Sequence, residues 1–164
     1  MMSCSRAGQL VFAALLVACG VDPQPSRIAN ADQTQFAETV YPLLLRDCGF
    51  PVCHGAQDRF FRIYGPGRSR LFPAPNADPG DPETEQELSQ SYERARSMID
   101  AKDPLHSLLL RKPLSVAAGG SGHKGLDAWK KNVYASTQDP RYQALHNWAF
   151  SMSAALQPDA GVSP

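Results

Sequence analysis

The stretch Cys48-Gly49-Phe50-Pro51-Val52-Cys53-His54 decides how this chain is read. Two thiols stand five positions apart, and an imidazole follows the second directly. Along a regular helix five positions turn through about 500°, which leaves the two sulfurs roughly 140° apart. A plain helix therefore does not present them to one target. Gly49 and Pro51 are helix-breaking residues, so the sequence predicts a bulged loop between the cysteines.

Outward from this cluster the chain reads as helices joined by long irregular connections. Upstream, Thr34 can cap a helix whose apolar face carries Phe36, Val40, Leu43 and Leu44, with a kink at Pro42. Downstream, Phe60-Phe61-Arg62-Ile63-Tyr64 has strand-like residues but runs into Gly65-Pro66-Gly67, which predicts a short extended segment ending in a turn and no sheet of any size. Residues 71–82 are a proline-rich surface loop, and Asp81-Pro82 offers a cap and first-turn proline for the clearest helix, 83–101. There Leu88, Tyr92, Ala95 and Ile99 share one stripe, and the acidic opening turn suits the helix dipole. A shorter helical stretch, 104–112, carries Leu108, Leu109 and Leu110 and stops before Pro113. The loop 115–127 contains four glycines, which lets its backbone approach something bulky. A last helix over 140–156 places Tyr142, Leu145, Ala149 and Met152 on one stripe with Trp148 alongside.

The totals set limits on this picture. The chain has 164 residues, 14 of them proline and 12 glycine, and 16 basic residues balance 16 acidic ones. No net field draws it to nucleic acid or to an anionic membrane surface. Arg6 followed by the apolar run from Leu10 to Ala18 forms a secretory signal, too short to anchor in a bilayer. Its end, Leu16-Val17-Ala18-Cys19-Gly20, resembles the lipobox of bacterial lipoproteins. That resemblance implies cleavage before Cys19 and lipid on its sulfur. With glycine rather than aspartate at position 20, it also implies attachment to the outer membrane, facing the periplasm. The expected organisation is a signal peptide (1–18), a lipidated flexible tether (19–33), one mostly α domain (34–156) and a disordered tail (157–164).

The histidine directly after Cys53 is the informative part of the cluster. In a c-type haem site two thiols add to the porphyrin vinyl groups, and the adjacent imidazole is thereby placed under the iron as its proximal ligand. Three stretches together are similar to the cytochrome-c-like domains of exported bacterial proteins, including variants with four residues between the cysteines. They are Phe36-Ala37-Glu38-Thr39-Val40-Tyr41-Pro42 leading into Cys48 and Cys53-His54-Gly55; Asp103-Pro104, Ser107 to Leu110 and Lys112-Pro113 ahead of Gly119-Gly120-Ser121-Gly122-His123-Lys124-Gly125; and Tyr142, Leu145 and Trp148.

The resemblance implies a small helical fold with long irregular loops, in which the first and last helices pack together near one covalent haem c. It implies a second axial ligand from a loop before the last helix, a place held by His123, with Met152 as second choice. His106 and His146 are expected to be surface or satisfied core residues, and Phe50, Phe60, Tyr64 and Trp148 could wall a porphyrin.

The function implied is electron transfer between periplasmic redox partners, with histidine on both iron faces. No nucleophile elbow, phosphate loop, zincin helix or carboxylate pair points to an enzyme. Two other readings stay open. A Cys48–Cys53 disulfide would staple a structural or binding lipoprotein in the oxidising periplasm, leaving His54 and the glycine-rich loop without a role. Zinc held by Cys48, Cys53, His54 and His123 is the other, awkward because Cys53 and His54 are adjacent.

Overall fold

Helix α1 covers residues 33–47 as three consecutive pieces: Gln33–Gln35, a π-helical stretch Phe36–Val40, and Tyr41–Asp47. The structure, a computed structural model, describes residues 30–73, 75–76, 78–123 and 133–154. The expected leader, the expected lipidation site Cys19, most of the expected tether and the 157–164 tail lie outside those residues. Asp32 rather than Thr34 caps α1, its carboxylate accepting from the Gln35 N–H at 2.8 Å.

Pro42 does not break the rod. It has no N–H to donate and its ring crowds the preceding turn, and the wider π turn, closed by the Tyr41 N–H onto the Phe36 carbonyl, makes room just ahead of it. The widening brings Phe36, Val40, Tyr41 and Leu44 onto one buried face and leaves Leu43 half-buried.

Helix α2, Glu85–Arg96, starts later and ends sooner than its apolar pattern suggested. Thr84 and Glu87 form a reciprocal capping box, which takes the place expected for Asp81. Tyr92 and Ala95 are buried on its inner face, as is Ile99 in the turn beyond. Two polar residues share that face. Ser91 accepts from the Tyr64 N–H at 3.1 Å, so a helix side chain satisfies the backbone of the extended 60–64 segment. Among the described residues no strand forms, only the isolated bridges Tyr64–Ser69 and Leu114–Tyr134.

The other polar residue, Glu87, holds the proline-rich loop. Its carboxylate, 2 % exposed, pairs with Arg70 at 2.8 Å and accepts from the Leu71 N–H at 3.0 Å and the Thr84 N–H at 3.0 Å. Arg70 in turn donates to the carbonyls of Asp81 and Pro82 at 2.9 Å each, so both ends of the loop are tied to the start of α2.

The expected 104–112 helix is divided. Pro104–His106 is a 3-10 turn, Ser107 is extended with ψ 139°, and Leu108–Arg111 forms the short helix α3. The Ser107 hydroxyl accepts from the Asp100 N–H at 2.9 Å, a local bond that competes with helix continuation. Helix α4, Pro140–Ala154, buries Tyr142, Leu145, Trp148, Ala149 and Met152.

The first and last long helices meet at an aromatic centre. Phe36 lies 5.1 Å from Trp148 and 5.3 Å, edge-on, from Tyr92. The Trp148 indole N–H donates to the Asp32 carbonyl at 2.8 Å and the Tyr92 hydroxyl to the Ala31 carbonyl at 2.7 Å. Burial of each large apolar side chain contributes about 1.5–3 kcal/mol, and the edge-on geometry adds on the order of 1 kcal/mol. These bonds also fix where packing begins: Ala31 is 2 % exposed, so the packed domain starts ahead of Thr34.

Burial gives the fold a weakness at high pH. It pushes the Cys48 thiol up to about 12 and raises the Tyr41 and Tyr134 phenols above their ordinary range. A group with a raised folded-state pKa contributes stability that is present below its unfolded pKa and lost as pH rises toward the folded value. The urea midpoint of the domain with both thiols free is therefore expected to hold between pH 7 and about 8.5 and to fall steadily above that, where free thiols and then phenols ionise. Tyr134→Phe should flatten the upper part of that decline. A midpoint constant to pH 11 would contradict this.

Candidate functional site

Cys48 terminates α1, and the residues after it turn back on themselves. The Cys53 N–H donates to the Phe50 carbonyl at 2.8 Å, the Gly55 N–H to the same oxygen at 2.9 Å, and the His54 N–H to the Cys48 carbonyl at 3.1 Å. The long spacing between the cysteines is thereby folded away, and His54 comes back onto Cys48. Gly55 makes this possible: a Cβ there would stand 2.7 Å from the Gly49 carbonyl oxygen. Phe50 is held under the Arg68 guanidinium at 4.2 Å, and Arg68 is anchored on the Leu45 carbonyl at 2.6 Å.

Cys48, Cys53, His54 and His123 line one cavity of about 610 Å³. That lies within the roughly 300–1,000 Å³ of small-molecule and cofactor sites. Leu44, Leu109 and Leu145 give it apolar walls from three helices. His123 reaches the cavity on the glycine-rich loop, which is pinned to α3 and to its own start. The Ser121 N–H donates to the Arg111 carbonyl at 3.0 Å and the Gly120 N–H to the Ser115 carbonyl at 2.9 Å. Gly120 is a required glycine, since a Cβ there would collide with the Leu114 carbonyl, and Gly122, at φ 73°, sets the chain direction into His123.

The His54 Nδ1 lies 2.9 Å from the Phe61 carbonyl oxygen. A carbonyl can only accept, so Nδ1 carries the proton and Nε2 keeps its lone pair. Phe61 also sets its ring edge-on to the imidazole, 4.7 Å between centres. Burial lowers the His54 pKa; the Phe61 bond pulls it up, His123 and Arg59 push it down, and the balance favours the neutral ring. The His123 ring stands across from it, 5.8 Å between centres and inclined at 56°. Its Nδ1 is buried with no hydrogen-bond partner among the described residues. A buried polar atom left unpaired costs about 1–3 kcal/mol unless something binds it.

Both cysteines are free thiols here. Burial, then the neighbouring Asp47 charge, keeps the Cys48 sulfur protonated, a setting that suits a neutral sulfur and opposes a thiolate ligand. Among the described residues no three His, Cys, Asp or Glu side chains are grouped to hold a bare metal ion. The zinc alternative built on Cys48, Cys53, His54 and His123 therefore has no assembled ligand set.

The remaining candidates lie elsewhere. Met152 is buried in the core among Trp148 and Ala149 and is not among the cavity-lining side chains. His106 pairs with Asp103 at 2.6 Å on the surface, and His146 stacks on Phe150 at 4.4 Å. Of the aromatic residues suggested as walls, Phe60 is 65 % exposed and Tyr64 and Trp148 belong to the core. Sequence reasoning missed Phe61, Met98, Asp47, Arg59 and Lys112, all of which line the cavity. Met98 follows the end of α2, where a helical stripe no longer predicts direction. The charged residues had no local pattern to distinguish them from ordinary surface.

No known protein family, curated protein or solved structure matches this chain. Among the described residues no helix is long and apolar enough to cross a membrane.

Proposed function

We propose that the chain carries one covalently attached haem c and passes electrons between periplasmic redox proteins, with a cytochrome-c-like fold and a lipid anchor at Cys19 on the periplasmic face of the outer membrane. The observation that carries this is the facing pair of imidazoles. His54, its Nδ1 proton committed to the Phe61 carbonyl, and His123, its buried Nδ1 unpartnered among the described residues, stand across one cavity with two thiols in its wall.

The residues suit that group on chemical grounds. The two rings, 5.8 Å between centres, are close enough for one group in the cavity to engage a nitrogen of each. When bound, haem iron supplies one-electron redox chemistry, and two nitrogen ligands leave no position for oxygen or peroxide. Cys48 and Cys53 would hold the group through thioethers, and His54 and His123 would supply nitrogen ligands to its iron. A Phe61 carbonyl bonded to the His54 Nδ1 orients the ring and raises the basicity of Nε2. The leucine walls offer the group apolar contact, and the exposed side chains of Arg59 and Lys112 offer positive charge to acidic substituents. A group so held would suit electron carriage rather than catalysis.

Expression with a c-type haem attachment system tests the reading. The expected product is red, with an intact mass increased by one haem, and Cys48→Ser with Cys53→Ser abolishes covalent attachment. A colourless product two hydrogens lighter than the dithiol would instead establish the disulfide-stapled structural or binding lipoprotein.

A further inference from the structure

Asp47 is a carboxylate in the cavity wall, directly before Cys48. It ends α1, and the C-terminal turn of a helix disfavours negative charge. Its side chain is only 7 % exposed. A carboxylate so placed costs stability unless it is paired, and here two other parts of the chain are recruited to it. The Arg141 guanidinium of α4 approaches at 3.4 Å and the Tyr134 hydroxyl donates at 3.3 Å. Arg141 is itself fixed by Asp139 at 2.6 Å. The sequence neighbour Arg46 also reaches Asp47, at 2.8 Å, but is 57 % exposed and screened by solvent. A negative charge is thus held at the wall against local preference.

We infer that Asp47, balanced by Arg141, is the charged pair that sets the reduction potential of the group held in this cavity; the inference rests on the haem reading above. Reduction adds one electron, so a fixed carboxylate at the wall favours the oxidised form and lowers the potential, while the guanidinium opposes it. At an effective dielectric constant of about 20, a unit charge roughly 10 Å from the electron's site changes the equilibrium on the order of tenfold.

The test is a potentiometric titration of the haem-loaded full chain and three variants. Asp47→Asn is expected to raise the reduced-to-oxidised ratio at fixed applied potential about tenfold, equivalent to about 59 mV for one electron. Asp47→Glu should stay near the parent value, and Arg141→Gln should shift it in the opposite direction. Ligand-sensitive absorption bands should remain in place in all of them. Should Asp47→Asn not fold, Arg141→Gln decides: a lowered potential supports the pair and an unmoved one overturns it. An Asp47→Asn protein with the parent potential, or an Asp47→Glu protein displaced as far as Asp47→Asn, also overturns it and leaves the haem reading intact. A parent protein without porphyrin overturns both.

Discussion

Replacing His123 by alanine is expected to convert the haem-loaded protein from a low-spin to a high-spin spectrum while leaving the haem covalently attached. On the haem reading, attachment would depend on Cys48 and Cys53, which belong to the turn after α1 and, among the described residues, share no hydrogen bond with the glycine-rich loop. The second nitrogen ligand to iron would come from the ring that stands 5.8 Å from His54. Its buried Nδ1 has no competing partner among the described residues, which leaves the ring available to a ligand until the substitution removes it. The spin state should change nearly completely, because a missing axial ligand is an all-or-none change in coordination. His106→Ala and His146→Ala are the controls and should leave the spectrum as it was, since those rings are engaged by Asp103 and Phe150. An unaltered spectrum in the His123→Ala protein would remove this residue from the site. The Met98 thioether, which lines the same cavity, would then be the ligand to test.

The second large effect concerns stability. Glu87→Ala should destabilise the domain by about 2–4 kcal/mol, less than the full cost of breaking a deeply buried pair, because Arg70 retains 14 % exposure. The substitution strips a two-pronged partner from Arg70 and leaves the N–H groups of Leu71 and Thr84 unsatisfied. It also releases the proline-rich loop from α2. For a domain of this size the melting temperature should drop by roughly 10 °C. Burial alone would push the Glu87 carboxyl up, but the Arg70 bonds and the Thr84 and Leu71 N–H groups hold it below its ordinary value. Its contribution is therefore present above the unfolded carboxyl pKa and lost as pH falls through the folded one. Acid unfolding should consequently begin at higher pH in Glu87→Gln, which keeps the shape but not the charge. Thermal melts across pH 3–7 check both statements, and a parent-like melt for Glu87→Ala would refute the clasp.

Much of the fold was legible wherever the information was local. The α4 stripe of Tyr142, Leu145, Ala149 and Met152 is the stripe that is buried, because a straight helix repeats every 3.6 residues whatever lies opposite. The failures share a different cause. At the start of α1 both Thr34 and Asp32 can cap, and Asp32 is chosen because Trp148 and Ser151 hold its backbone from the far end of the chain. The 104–112 stretch has a helical pattern, yet Ser107 breaks it by bonding to Asp100. The α2 face that looked purely apolar also carries Glu87 and Ser91, whose partners come from residues 64–71.

For the candidate site the division is sharper. Chain order alone places a thiol, a second thiol and an imidazole within seven residues, and Gly49 and Pro51 within that stretch already call for a turn. Bonds between neighbours make such a turn, so its chemistry can be read before any long-range contact is known. Which nitrogen of His54 bears the proton, and which distant histidine faces it, depended on the Phe61 carbonyl and on a loop 69 residues away pinned by α3. That Met152 stands apart from the site, and that Met98, which the sequence did not single out, belongs to it, was likewise decided only by the cavity. Side-chain type and spacing act over one or two turns of backbone, whereas a cavity is a relation among α1, α3, α4 and the loops between them, and exists only once their apolar faces have closed on one another.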